Sequence, residues 1–375
     1  MKVLINAANL HVGGGVQVAS SFISELYSMS PDKYVGLELV IYASDEVDSN
    51  IDSELRKTPS NIKYEVLNIE GISKLSDDLK NKFSQFDLCF TIFGPNYNLG
   101  LSKIDLVGFA QPWIAYPKNH AYKKISILEQ LRNRLKFHIQ KLYFFKSDHL
   151  IVEQNDIKKA LKEVGYSGDV TVVSNCISSI YGDSRKWQKI KDMPEKTKFT
   201  FGFVGRPYSH KNLDIIAVAD SILKINYNLD VDFVFTLSQD EFEKIGFSNY
   251  ENFKTVGGIS ISQCPYFYQY IDALIFPSLL ECFSATPIEA MYMGKPVFAS
   301  NLSFVKDICK DSVVYFDPLS AEDIAKKIYT HVTNQDSIKK NVISAKEIVS
   351  KLPTASDRAE SYLSLIKKNI DKSYV

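Results

Sequence analysis

Two cations and two carboxylates, each set just past an apolar run, are the side chains of this sequence best suited to chemistry. In GFVGRPYSHKN (202–212), Arg206 closes such a run and Lys211 follows at the expected entry to a helix. A guanidinium fork, an ammonium and the positive end of a helix dipole together suit a diphosphate. Open α/β sheets bind ligands beyond the carboxyl ends of their strands, which favours this use over two solvated loop charges. His210 reads as a loop histidine. In PSLLECFSATPIEAMYMGKPVFAS (277–300), Glu281 lies in the loop after an apolar run and Glu289 stands further on. Thr286 as N-cap, Pro287 at the first helical position and Glu289 at the third spell a capping box, with Gly294 and Pro296 ending the helix. Glu281 lacks such a local explanation. A carboxylate there accepts hydrogen bonds from ligand hydroxyls, each contributing about 1.5–3 kcal/mol. Paired acids also raise glycosidase-type acid/base work, but nothing marks a leaving group that needs protonation. A third feature is the loop Asn9–Gly15, with Gly13, Gly14 and Gly15 leading into a helix. Its backbone N–H groups can approach an anion. The spacing is not that of a dinucleotide site, so a phosphate cradle and a tight turn stand as equal readings.

The elements that must position these residues alternate along the whole chain. VLINAA (3–8), LELVIYA (37–43), DLCFTI (87–92), DLVGFA (105–110), HLIVE (149–153) and VTVVS (170–174) read as strands. FTFGFVG (199–205), VDFVFTL (231–237), ALIFP (273–277), KPVFAS (295–300) and VVYF (313–316) continue the pattern. Most are continuous apolar runs, as parallel strands covered on both faces require. Helices are expected over 16–28, 211–226 and 354–370. The polar stretch 181–198 is the best boundary. The expected organisation is α/β: a first domain over 1–180, a linker over 181–198, a second domain over 199–355, and a helix over 356–375 returning to the first domain.

The 375 residues carry 44 Lys+Arg against 44 Asp+Glu, with 45% hydrophobic and 23% charged residues. That excludes wholesale disorder, and a zero balance disfavours nucleic acid as a partner. Five scattered cysteines without a CxxC pair argue against a disulfide framework or a zinc site. No run is long enough to span a bilayer and the N-terminus fails as a signal peptide, so a cytoplasmic location is expected. Neutrality is a sum of unequal parts: residues 118–147 hold eight Lys/Arg and one acid, Glu129, for a net +7, while 1–117 sum to −5. Ile125, Leu128, Leu131, Leu135, Ile139 and Leu142 recur there at helical spacing. The preferred reading buries that stripe and leaves the basic face in solvent. The other use of such a helix is to lie on the inner face of a membrane as a peripheral anchor.

With Glu281, seven intervening residues and Glu289, joined to Gly205-Arg206 and Lys211-Asn212 upstream, the chain resembles a retaining glycosyltransferase of family 4 with the GT-B fold. Asn175 and VVYFDPLSAEDIAKKI (313–328) add to the resemblance, which is strong over about 199–330 and diffuse before it. It implies two Rossmann-like parallel-sheet domains facing across a cleft. It further implies transfer of a hexose from a UDP- or GDP-sugar to a glycan or lipid-linked glycan, in bacterial O-antigen or capsule assembly. By the same resemblance Arg206 and Lys211 hold the diphosphate and Glu289 the ribose. Glu281 meets the sugar ring with the backbone N–H groups of Cys282, Phe283 and Ser284, Gly14 and Gly15 close over the phosphates, and no metal or other cofactor is needed. The departing diphosphate is a good leaving group, so fixed cations and dipoles suffice to stabilise the developing charge. One departure stands out. Many relatives carry a histidine after an N-domain strand, where this chain has Gln111; His120 and His11 are the other candidates for that acceptor-side position. Two further classes stay open: a nucleotide-sugar-binding protein without catalysis, and a nicotinamide-dependent oxidoreductase. The missing GxGxxG signature disfavours the second.

Overall fold

The computed structural model describes residues 1–55, 62–71 and 76–372. They form two compact units. The first comprises residues 1–115, 132–176 and 353–375, and the second residues 116–131 and 177–352. The polar stretch 181–198, expected to stand alone as a linker, is thus part of the second unit. So is the segment 116–131, expected in the first.

The first unit holds a seven-stranded, all-parallel sheet. Its strands are β1 (Lys2–Ala7), β2 (Glu38–Ala43), β3 (Lys63–Val66), β4 (Leu88–Thr91), β5 (Ile104–Gly108), β6 (His149–Val152) and β7 (Asp169–Val172). Their order is β3-β2-β1-β4-β5-β6-β7. The continuous apolar runs follow from burial on both faces. Val3 and Ile5 join the core beneath the helix Gly14–Ser28, while Leu4 packs on the opposite side with Tyr42, Phe83 and Phe86. The C-terminal helix Ala355–Lys372 packs against the helix Gly14–Ser28. It inserts Tyr362 between Phe22 and Phe90, at 5.0 Å from each ring. A buried side chain of this size stabilises by about 1.5–3 kcal/mol.

The second unit holds six parallel strands, β8 (Thr200–Phe203), β9 (Asp232–Phe235), β10 (Phe253–Thr255), β11 (Ala273–Phe276), β12 (Val297–Ser300) and β13 (Val314–Phe316). Their order is β10-β9-β8-β11-β12-β13. Phe201, Phe203, Phe233 and Phe235 pack through its core, with Phe201 stacked on Phe233. Sequence patterning missed β3 and β10. Both are edge strands with polar residues, KYEV and FKT, because an edge strand is not sealed on both sides.

Two helix expectations are corrected. The helix expected over 211–226 spans Asp214–Tyr227; Ser209–Lys211 is a separate 3₁₀ turn closed by Asn212 in the left-handed conformation. The apolar stripe of the basic segment does not face inward. The helix Ile127–Phe144 buries Phe137 and Phe144, while Leu128, Leu131, Leu135 and Leu142 are between 52% and 79% exposed.

Candidate functional site

In the second sheet the strand order reverses between β8 and β11, so the loops leaving these two strands diverge to opposite faces and frame a ligand crevice. The sequence places Gly205–Asn212 on one loop and Pro277–Ser284 on the other. Gly205 adopts φ +140°, a conformation only glycine takes without strain, and turns the chain out of β8. Asn212 then ties the two loops together: its Nδ2 donates to the carbonyls of Pro277 (3.3 Å) and Pro318 (2.8 Å). The Leu279 N–H donates to the His210 carbonyl at 2.7 Å. Sequence reasoning gave Asn212 no role; its readiness to adopt the left-handed conformation was the available signal.

Between these loops Lys211 Nζ meets Glu281 Oε1 at 2.5 Å, both side chains 13% exposed. Ser278, fully buried, donates its hydroxyl to the same oxygen at 2.7 Å, so Oε2 carries neither bond. His210 Nε2 lies 4.0 Å from Oε1, and its ring stacks on Tyr208. Burial holds the His210 pKa below its ordinary value, with the Lys211 charge adding to the effect and Glu281 opposing it. The expected cations are therefore separated by their partners. Lys211 pairs with Glu281, and the 68% exposed Arg206 pairs through Nε with Glu241 at 2.5 Å. Glu241 is in turn the capping-box residue of the helix Gln239–Lys244.

Glu289 is not a capping-box residue. The helix Ala285–Tyr292 begins before Thr286 and Pro287, with Ser284 as its N-cap, so Glu289 falls in its second turn. Its Oε2 accepts a hydrogen bond from the Tyr268 hydroxyl at 3.0 Å. Burial raises its carboxyl pKa, opposed by the tyrosine hydroxyls around it. Tyr268 had no sequence signal, because it lies in the separate helix Cys264–Tyr270. Cys282 is buried, Phe283 and Ser284 are half-buried, and the Ser284 side chain makes no capping hydrogen bond. An N-terminus without a side-chain cap leaves backbone N–H groups for another acceptor.

In the first unit the loop after β1 likewise lies at the reversal of strand order, between β1 and β4. Gly13, at φ +75°, is the N-cap of the helix Gly14–Ser28. A Cβ added at Gly13 or Gly14 meets no atom within 4 Å, whereas one at Gly15 comes within 3.3 Å of Leu10. Both ring nitrogens of His11 are engaged, Nδ1 with Glu46 (2.9 Å) and Nε2 with the Ile69 carbonyl (3.2 Å). Gln111 follows β5 and donates to Gln140 at 3.2 Å. His120 belongs to the second unit. It is itself exposed and opens the turn His120–Lys124, which packs against the turn Ser209–Lys211 and pairs Lys124 with Asp214 at 2.7 Å. Of the three acceptor-side candidates, His120 is the one whose segment the fold brings beside the Lys211 turn.

Among the described residues no group of three or more His, Cys, Asp or Glu side chains is arranged to hold a metal ion, and no helix is long and apolar enough to cross a membrane. The arrangement offers an ammonium, a guanidinium, two carboxylates and uncapped N–H groups around one reversal of strand order. It can take up a polyanion bearing hydroxyls.

Comparison with known proteins matches residues 184–347 to the family described as "Glycosyl transferases group 1". A 41.2 kDa uncharacterized protein of the cps region of Klebsiella pneumoniae is 26% identical over 261 residues, 66% of this chain and 69% of that one. The O-antigen chain mannosyltransferase RfbU of Salmonella typhimurium is 24% identical over 198 residues, 48% of this chain and 52% of that one. Among solved structures, Alr3699/HepE of Anabaena in complex with UDP and glucose superimposes with a TM-score of 0.66 at 13% identity, over 98% of this chain and 100% of that one. Residues 184–347, within the second unit, therefore resemble a group 1 glycosyl transferase domain, and the chain shares its two-sheet fold with the solved glycosyltransferase structures.

Proposed function

We propose that this protein transfers a hexose, with retention, from a nucleoside-diphosphate sugar to a glycan or lipid-linked glycan acceptor in surface-polysaccharide assembly. The observation that carries the reading is the Lys211–Glu281 pair at the strand reversal, inside the segment that matches the glycosyl transferase family. Support for the pathway comes from relatives: one is a protein of a cps region and another an O-antigen mannosyltransferase. The solved relative bound to UDP and glucose supports a nucleotide-sugar donor of the UDP or GDP type. In this reading Arg206 and Lys211 take the diphosphate, Glu289 the ribose hydroxyls, and Glu281 Oε2 a hydroxyl of the sugar ring. The N–H groups of Cys282, Phe283 and Ser284 complete the donor site on the second unit. Gln111 and His120 serve the acceptor. The bond from the anomeric carbon to the diphosphate breaks with its electron pair left on the phosphate oxygen, an acceptor hydroxyl oxygen bonds that carbon on the same face, and the hydroxyl proton passes to the departing phosphate. Fixed cations and N–H dipoles stabilise that charge without reorganising.

A thermal-shift panel of nucleoside diphosphates and sugar nucleotides tests the donor site. A ligand at about 100 times its Kd raises stability by about 2.7 kcal/mol. Absence of a shift with every nucleotide overturns the reading. Binding without transfer to any acceptor leaves a nucleotide-sugar-binding protein. Transfer undiminished by EDTA is expected, since Arg and Lys supply the positive charge.

A further inference from the structure

The helix Ile127–Phe144 is amphipathic in the reverse of the usual sense. At about 100° per residue, Leu128, Leu131, Leu135 and Leu142 fall within roughly 60° of one another on its circumference. Phe137 and Phe144, which anchor the helix to the protein, lie on roughly the opposite side. Single exposed leucines are ordinary, but four in register on one helix form an apolar strip of the kind that marks an interaction surface. Arg132 and Lys136 flank the strip on one side and Arg134 on the other, all exposed, with Lys146 just beyond the helix end. The one acid of the segment, Glu129, is taken up in a capping box with Ser126: the Ser126 N–H and hydroxyl donate to its carboxylate at 3.0 and 2.9 Å.

We propose that this face docks the protein on an anionic lipid surface, the leucines entering the acyl boundary while the flanking cations reach the headgroups. The charge decides the occupant. A second copy related by a two-fold axis would set the same patch against itself. Segment 118–147 carries a net +7, and its single carboxylate is already engaged, so such a pairing has no anions to offset the cations. Anionic headgroups supply them, and long basic side chains beside an apolar strip extend readily to headgroup level. The inference stands apart from the donor reading, since no residue of the strip belongs to the nucleotide site.

Cosedimentation of the full chain with vesicles tests it. Binding to mixed phosphatidylglycerol–phosphatidylcholine vesicles is expected, with little binding to phosphatidylcholine alone and weakening as salt rises. Leu135→Glu and Leu142→Glu should each reduce binding by about tenfold or more, since each removes a leucine that docking would bury. Arg132→Gln and Lys136→Gln should each cost about fivefold, the equivalent of ~1 kcal/mol per basic residue. Unchanged thermal melts and nucleotide-induced shifts in these variants separate lost docking from lost folding. No binding to the anionic vesicles at low salt overturns the proposal. So does wild-type binding by the Leu→Glu variants, or sedimentation velocity showing a dimer that those substitutions dissociate.

Discussion

The two units each place a loop at a reversal of strand order, and they build it from different physics. The second unit builds with charge. Lys211, Glu281 and Ser278 are held against one another in little solvent, and Asn212 fastens the loops that carry them. The first unit builds with bare backbone: Gly13 and Gly14 face open space, and the nearby His11 is turned aside to Glu46 and Ile69. The carboxylates past the strands differ in the same way. Glu281 meets an ammonium directly. Glu153, after β6, lies near Arg358, but that guanidinium donates to Asn175 and Ser21, and burial pushes the Glu153 carboxyl up to about 7. A fixed ion pair must be desolvated and held by its neighbours, whereas a glycine loop needs only its backbone conformation. The first design is suited to recognising charge, the second to letting a ligand come close.

The strongest test of that contrast is Glu281→Ala. It should lower sugar transfer by about 10²–10³-fold. It also leaves Lys211 without its partner, at a cost of about 3–5 kcal/mol in urea denaturation. The double variant Lys211→Met/Glu281→Leu should recover the stability and not the transfer; recovery of both would remove the pair from the chemistry. Glu153 should show the opposite character. With a folded pKa near 7 against an ordinary 4.5, the folded state keeps its proton to higher pH. Stability should therefore fall as pH rises from about 4.5 through 7 and level off above. Glu153→Gln should flatten that slope and exceed the wild type in stability at pH 8, and a slope that persists in the variant assigns it elsewhere. Arg206→Ala should cost less than about 1 kcal/mol in stability, because its pair with Glu241 is exposed. It should nonetheless weaken donor binding by about tenfold or more in calorimetry, the value of one charge-assisted bond. In the glycine loop, Gly13→Ala should cost about 1–3 kcal/mol, because φ +75° with ψ −156° is a conformation that glycine alone adopts readily. Gly14→Ala should stay within about 0.5 kcal/mol, having space for a methyl group. Weaker donor binding in Gly14→Ala, at unchanged stability, is the mark of a loop that a ligand approaches.

The sealed runs around Leu4, Phe201 and Leu274 announce central strands, because a strand covered on both faces has no polar side to interrupt it. Lys63–Val66 and Phe253–Thr255 sit at sheet edges, where that pressure lapses. Thr286-Pro287-Ile288-Glu289 imitates a helix start, yet the helix begins earlier, because Ala285 and Thr286 continue it without a capping bond. The leucine stripe at 128–142 carries the periodicity of a core helix. Periodicity records that a face is apolar, not which way it turns, and Phe137 and Phe144 took the core-facing side.

The sequence by itself determined the central strands of the two parallel sheets, since their sealed apolar runs are patterns within a few residues of chain. Only the tertiary structure decided which charges meet. Lys211 joins Glu281 across seventy residues, Arg206 is diverted to Glu241, and Glu289 answers to Tyr268. Such pairings depend on which strands lie side by side. That is fixed by how whole sheets and helices bury their apolar faces together, and no local spacing encodes it.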